Sequence, residues 1–85
     1  MFYATDGDHG LPHNPFKALV TPRPIGWITT ISADGVVNCA PYSFFNAVAS
    51  DPPMVMYASN GSKAGSPKDT LTNVEGTGEF VVNVA

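Results

Sequence analysis

Gly26-Trp27-Ile28-Thr29-Thr30-Ile31-Ser32, then Asp34-Gly35, then Val36-Val37-Asn38-Cys39-Ala40 is the stretch that decides the fold. The first run is rich in β-branched and aromatic residues, which suit a pleated, half-buried surface better than a helix. Asp-Gly readily supplies the left-handed backbone of a tight turn, so the two runs around it predict an antiparallel hairpin. Alternation places Trp27, Thr29 and Ile31 on one face of the first strand, with Ile28 and Thr30 on the other. Pro41 is expected to end the second strand, because proline has no N–H to give to a ladder.

Upstream, residues 1–24 contain Pro12, Pro15, Pro22 and Pro24 and show neither a helical nor a strand period. They read as an irregular arm that crosses the surface before the main domain, residues 25–85, begins. Pro22 and Pro24 hold the residues before them, Thr21 and Arg23, extended, which leads the chain into the first strand.

Downstream, Tyr42 to Ala49 is ambiguous and is expected to hold a short helical turn. Asp51-Pro52-Pro53 breaks the chain, and Met54 to Ala58 is a third, apolar strand. Asn60 to Gly65 is a Gly/Ser loop that carries Lys63. Ser66-Pro67-Lys68-Asp69 is a helix start, with serine at the cap, proline at the first helical position and an acid in the first turn. Leu71 and Val74 are expected to face the core, and Gly76 and Gly78 to stop the helix. Glu79 to Ala85 reads as a fourth strand with Phe80, Val82 and Val84 on one face.

Strands separated by tight turns, with one short helix, point to a mainly β architecture, a small antiparallel barrel or half-barrel. A strand at Ala85 leaves an apolar edge with unpaired N–H and C=O groups. Either a longer domain or a partner is expected to complete it.

The totals narrow the function classes. A chain of 85 residues is one small domain, burying a bit over ~60% of its unfolded surface. Its hydrophobic content of 44% is that of a globular protein. Four Lys+Arg against seven Asp+Glu give a net charge of −3, which argues against nucleic acid as a partner. No apolar run approaches membrane-span length, and the N-terminus lacks the basic and apolar regions of a signal peptide. One cysteine, Cys39, excludes an internal disulfide and fits a reducing, cytoplasmic setting. It is expected to be a small buried hydrophobe.

Two segments are candidate sites. From Ser59 to Thr70, a Ser/Gly loop with Lys63 and Lys68 feeds a capped helix. The free N–H groups and positive dipole end of that helix are suited to an anion such as phosphate. Without a Gly-Lys-Ser/Thr triplet it is not a Walker loop, and a plain solvated loop remains the competing reading. From Asn38 to Asn46, Pro41 and the aromatics interleave with Asn38, Ser43 and Asn46, a pattern suited to a flat, partly apolar ring edged by hydrogen-bonding groups. The competing reading makes Tyr42, Phe44 and Phe45 core residues at a barrel corner. Trp27 either stacks on such a ring or packs in the core or an interface. Arg23, held stiffly between prolines, is suited to a carboxylate or phosphate, or to a surface ion pair. His9 and His13 have metal-like spacing, but Gly10 and Pro12 favour a loop there.

Four phrases in order carry a family resemblance: Thr21-Pro22-Arg23-Pro24-Ile25-Gly26-Trp27, Asn38 to Asn46, Ser50-Asp51-Pro52-Pro53-Met54-Val55-Met56-Tyr57, and Lys68-Asp69-Thr70. Together they resemble the front half of a flavin reductase-like protein of the FMN-binding split-barrel family. The resemblance implies a Greek-key split barrel, present here as its N-terminal portion. It further implies bound FMN, hydride transfer from NADH or NADPH to that flavin, and a homodimer with flavin near the interface. Some members serve an oxygenase partner. Carried over by motif, Ser43 and Asn46 fall where the flavin ring is lined. Ser59, Lys63, Lys68, Asp69 and Thr70 fall where FMN phosphate or ribityl groups are held, and Trp27 matches a position on the first strand. No indispensable acid–base residue is implied, because the chemistry belongs to the cofactor. Two rivals stand beside this reading: a non-enzymatic flavin-binding module, and an assembly fragment that binds no flavin.

Overall fold

The computed structural model describes residues 2–61 and 67–85. The expected hairpin forms from β1 (Gly26–Ile31) and β2 (Val37–Tyr42), antiparallel, with register running from Ile31 opposite Val37 to Gly26 opposite Tyr42. Its turn is tied three ways: Gly35 N–H to the Ser32 carbonyl at 3.0 Å, Ser32 N–H to the Val36 carbonyl at 2.9 Å, and Val36 N–H to Ser32 Oγ at 3.0 Å. Gly35 adopts φ of +84°, the left-handed region that glycine enters without a steric penalty.

Pro41 does not end β2; it lies inside the strand, opposite Trp27. The physical reason is its place in the sheet. Strand order is β2-β1-β5, so β2 is an edge. Counted from the Ser32–Val36 bond, the Trp27–Pro41 pair falls at a non-hydrogen-bonded step, where the missing N–H faces outward.

On the other side of β1 lies β5 (Val81–Asn83), antiparallel to it, with Val82 opposite Ile28. The strand is shorter than the run expected from Glu79 to Ala85, and Val84 is exposed. Because β5 returns beside β1 after intervening elements, the connection is of Greek-key type. The predicted alternation of β1 holds: Gly26, Ile28 and Thr30 are buried, while Trp27 and Ile31 face outward. Cys39 pairs with Thr29 on that outward face and is exposed, contrary to the expectation of burial. Thr29 Oγ1 donates to its sulfur at 3.7 Å.

The expected helical turn within Tyr42 to Ala49 is instead a strand. β3 (Phe45–Ser50) pairs antiparallel with β4 (Pro53–Tyr57) to form a separate two-stranded sheet. A partner strand nearby satisfies backbone groups that an isolated turn of helix leaves open. The Ala58 N–H extends the pairing to the Phe44 carbonyl at 2.9 Å. The register shifts between Ala47 and Ala49, so Val48 sits at a bulge.

Within the arm, α1 (Phe16–Leu19) is a single turn, which the reading of residues 1–24 as irregular did not contain. The main helix, α2 (Asp69–Thr77), starts with Lys68 at the cap rather than Ser66, which lies outside the described residues. Gly76 is inside the helix, and Gly78 alone terminates it, at φ +74° with its N–H bonded to the Val74 carbonyl at 2.8 Å.

The face that α2 turns to the sheet corrects another expectation. Leu71 and Val74 are only half-buried, whereas Thr70 and Asn73 are buried. Asn38 Nδ2 donates to Thr70 Oγ1 at 2.9 Å, and Asn73 Nδ2 donates to Thr30 Oγ1 at 3.0 Å. The helix thus docks through a polar seam. Buried Thr30 requires a partner, and a leucine in place of Asn73 would leave it without one.

Tyr42, 5% exposed, and Ile28, 0% exposed, are the buried apolar residues among those described. Tyr42 packs on Tyr57 at 4.8 Å between ring centroids, and Tyr57 meets Phe80 edge-on at 4.9 Å. This aromatic row joins the β3–β4 hairpin to the three-stranded sheet. A second joint is Gly26, where an added Cβ would lie 2.7 Å from Phe45 Cδ2.

Candidate functional site

An open, mainly apolar cleft of about 240 Å³ lies between the arm and the start of β3. Its walls include Phe16 and Val20 from the arm, Ser43, Phe44 and Asn46 from the β2–β3 segment, and Met56 from β4. A complete small-molecule pocket takes ~300–1,000 Å³. This cleft therefore suits one edge of a planar ligand rather than a whole nucleotide.

Arg23 organises the cleft. Its Nε donates to the Val20 carbonyl at 2.9 Å, Nη1 donates to Ser43 Oγ at 3.3 Å, and Nη2 donates to the Lys17 carbonyl. The guanidinium carbon also stands 4.8 Å from the centroid of the Phe44 ring. Sequence reading offered Arg23 a carboxylate, a phosphate or a surface ion pair. The structure gives it backbone carbonyls, a hydroxyl and an aromatic face. Its setting between Pro22 and Pro24 was the available signal of a fixed direction; its partners were not visible in the sequence.

Hydrogen-bond accounting fixes what the cleft offers. A guanidinium only donates, so Ser43 Oγ must accept from Arg23 and keeps its own proton for another acceptor. Asn46 Oδ1 accepts from the Ala47 N–H at 2.9 Å, which leaves the Asn46 NH₂ as donor. Apolar walls with donors at one side form a site for a flat ring whose edge carries acceptors.

The phosphate-side candidates gather elsewhere. Lys68, Asp69 and Thr70 sit together at the start of α2, whose first N–H groups have no intrahelical acceptor. The Lys68 ammonium lies 5.4 Å from the centroid of the Tyr42 ring, next along the chain to Ser43. The Thr70 hydroxyl is not turned to solvent: the residue is 1% exposed and bonded to Asn38. Ser59 Oγ is buried and finds no hydrogen-bond partner among the described residues. It lies two positions beyond Tyr57, which stacks on Tyr42. Burial, then the neighbouring Tyr42, pushes the Tyr57 phenol above its ordinary range, so it remains a neutral donor. Lys63 lies outside the described residues.

Trp27 stands apart from both groups. It is 43% exposed on the outward face of β1, opposite Pro41 and Asn83, and Asn83 Nδ2 donates to its carbonyl at 3.0 Å. His9 has a local role: Nδ1 accepts from the Leu11 N–H at 3.0 Å, and its ring meets Tyr3 edge-on. Among the described residues no group of three or more His, Cys, Asp or Glu is placed to hold a metal ion.

The flavin reductase like domain matches residues 18–85. The chain belongs to the flavin reductase-like family. Uncharacterised relatives include a protein of Aquifex aeolicus, 49% identical over 80 residues, which cover 94% of this chain and 40% of the relative. Another is YwrF of Bacillus subtilis, 50% identical over 66 residues, covering 78% of this chain and 32% of the relative. Among solved structures, nitrilotriacetate monooxygenase component B from Bacillus cereus matches with a TM-score of 0.72 and 35% identity. That match covers 96% of this chain and 44% of the other. The chain thus spans about a third to under half of the length of these proteins. Its mainly antiparallel fold is that of the flavin reductase-like split barrel. Among the described residues no helix is long and apolar enough to cross a membrane.

The residues fit the flavin that the family implies. The apolar wall suits the ring faces, Ser43 and Asn46 present donors, and the unsatisfied Ser59 Oγ with the α2 N-terminus suits a polar tail.

Proposed function

We propose that the chain carries the FMN-binding face of an NAD(P)H-dependent flavin reductase. The supporting observation is the Arg23-braced cleft, in which Ser43 and Asn46 are both turned to donate beside Phe44 and Met56. Ser43 and Asn46 hold the acceptor edge of the ring, and the aromatic and thioether side chains cover its face. Lys68 and the free N–H groups of Asp69 and Thr70 hold the phosphate, with Ser59 serving the ribityl chain and Lys63 completing the loop side. The Thr70 hydroxyl stays with Asn38, so Thr70 contributes through its backbone. When bound, FMN supplies the two-electron chemistry that takes hydride from NADH or NADPH and passes electrons to an acceptor. The residues of the chain bind and orient; none is assigned a proton-transfer step.

A homodimer with flavin near the interface fits the exposed apolar side chains of β4, Met54, Val55 and Met56. Trp27, outside the cleft of its own chain, belongs to such an interface in this reading. The likeness to a monooxygenase component supports an oxygenase as electron acceptor. A lone cysteine suits a cytoplasmic setting.

Paired titrations with FMN and riboflavin test the phosphate assignment. Lys68→Ala is expected to weaken FMN by on the order of 1.5–3 kcal/mol, the worth of a charge-assisted hydrogen bond, and to leave riboflavin unchanged. Equal loss for both ligands would place the phosphate elsewhere.

A further inference from the structure

We propose that Arg23 is a positioning residue of the flavin site: it ties the arm to the 43–46 segment and makes Ser43 a hydrogen-bond donor to a flavin ring carbonyl. The inference rests on the flavin reading above and assigns a role to a residue that neither ring nor phosphate motif covers. Three features carry it. First, Arg23 spans two separate pieces of chain, bonding to the Val20 and Lys17 carbonyls on the arm and to Ser43 Oγ across the cleft. The wall it anchors is Phe16, in a single helical turn with no buried residue of its own, and Val20, the extended residue just after that turn. Such a turn has little else to hold it in place. Second, the guanidinium lies against the Phe44 ring at 4.8 Å, which fixes its plane and hence the direction of its fork. Third, the hydroxyl polarity is forced. A serine with free rotation either donates or accepts, whereas one that accepts from a guanidinium has its proton directed to a different acceptor. Together with Asn46, whose carbonyl oxygen is taken by the Ala47 N–H, the cleft selects for a carbonyl-bearing ring edge.

Arg23 touches neither cofactor nor reacting atoms in this account, so its test reads position rather than turnover. Flavin affinity and the carbonyl stretching bands of the bound ring are measured for the protein and for Arg23→Met, Arg23→Lys and Ser43→Ala. Arg23→Met is expected to weaken FMN and riboflavin alike, by about tenfold to a hundredfold, since the ring is common to both. This contrasts with the FMN-selective loss at Lys68. A ring carbonyl band is expected to move to higher frequency in Arg23→Met and in Ser43→Ala. The double variant should move it no further than Ser43→Ala alone, because the two side chains act as one unit. Arg23→Lys keeps the charge but not the fork, and is not expected to restore the band. Should Arg23→Met fail to fold, Ser43→Ala decides the point, since it removes only the hydroxyl. Flavin bound with unchanged affinity and unshifted bands in these variants would overturn the role of Arg23 while leaving the flavin site standing. A protein that binds no flavin at all would overturn the proposed function, and this inference with it.

Discussion

At the scale of single residues, close approach explains more than side-chain type. Gly26 opens β1, and Phe45 occupies the space where a Cβ would stand, at 2.7 Å. Alanine in place of a strand glycine ordinarily gains about 0.5–1 kcal/mol through chain entropy. Here overpacking wins, with a cost of about 1–3 kcal/mol. Gly26→Ala is therefore expected to lower the urea midpoint, and the loss should vanish in a Phe45→Ala background. Persistence of the loss without Phe45 would refute the contact as its cause. Arg23 shows the same lesson from the polar side. Its identity suggested an ion partner, yet its geometry makes it a brace. Neither Gly26 nor Arg23 betrays its neighbours in sequence, because those neighbours lie on other elements.

At the scale of elements, the legible parts were those governed by local rules. The β1–β2 hairpin followed from β-branched alternation around Asp34-Gly35, and parity separated Ile28 and Thr30 from Trp27 and Ile31; which face is buried came only with the structure. A helix start was legible from turn and cap chemistry, with Ser66 as the expected cap; α2 begins at Asp69 with Lys68 at the cap, two residues later and within the usual shift of boundaries. What failed depended on tertiary partners. Phe45 to Ser50 became a strand because β4 lies beside it, and Pro41 stayed in β2 because β2 is an edge. The α2 seam is the plainest case: counting apolar residues chose Leu71 and Val74, whereas pairing with Thr30 and Asn38 chose Asn73 and Thr70. Asn73→Ala leaves the buried Thr30 hydroxyl without its donor and is expected to cost about 1–3 kcal/mol. Thr30→Val combined with Asn73→Leu should recover most of it, as measured by denaturant unfolding. If the double variant is no better than Asn73→Ala, the seam does not work by mutual satisfaction.

At the scale of the whole molecule, the chain is open. Its radius of gyration is 15.9 Å, against about 12 Å for a compact domain of this length. The β3–β4 sheet is joined to the rest mainly through the Tyr42–Tyr57–Phe80 row and the Gly26–Phe45 contact. Across the family likeness, the chain covers 40% of one relative and 44% of the solved neighbour. In the candidate site, Ser43 and Asn46, the pair proposed for the ring side, line one cleft, while Trp27 faces away from it. The residues proposed for the phosphate lie at a helix start that the sequence showed, but the burial of the Thr70 hydroxyl was not visible there. The central claim is that this open face holds FMN. It is tested most directly by the visible absorption spectrum of the purified protein after incubation with FMN and desalting. The account predicts a retained flavin spectrum that bleaches on addition of NADH or NADPH under anaerobic conditions. A colourless protein would contradict it.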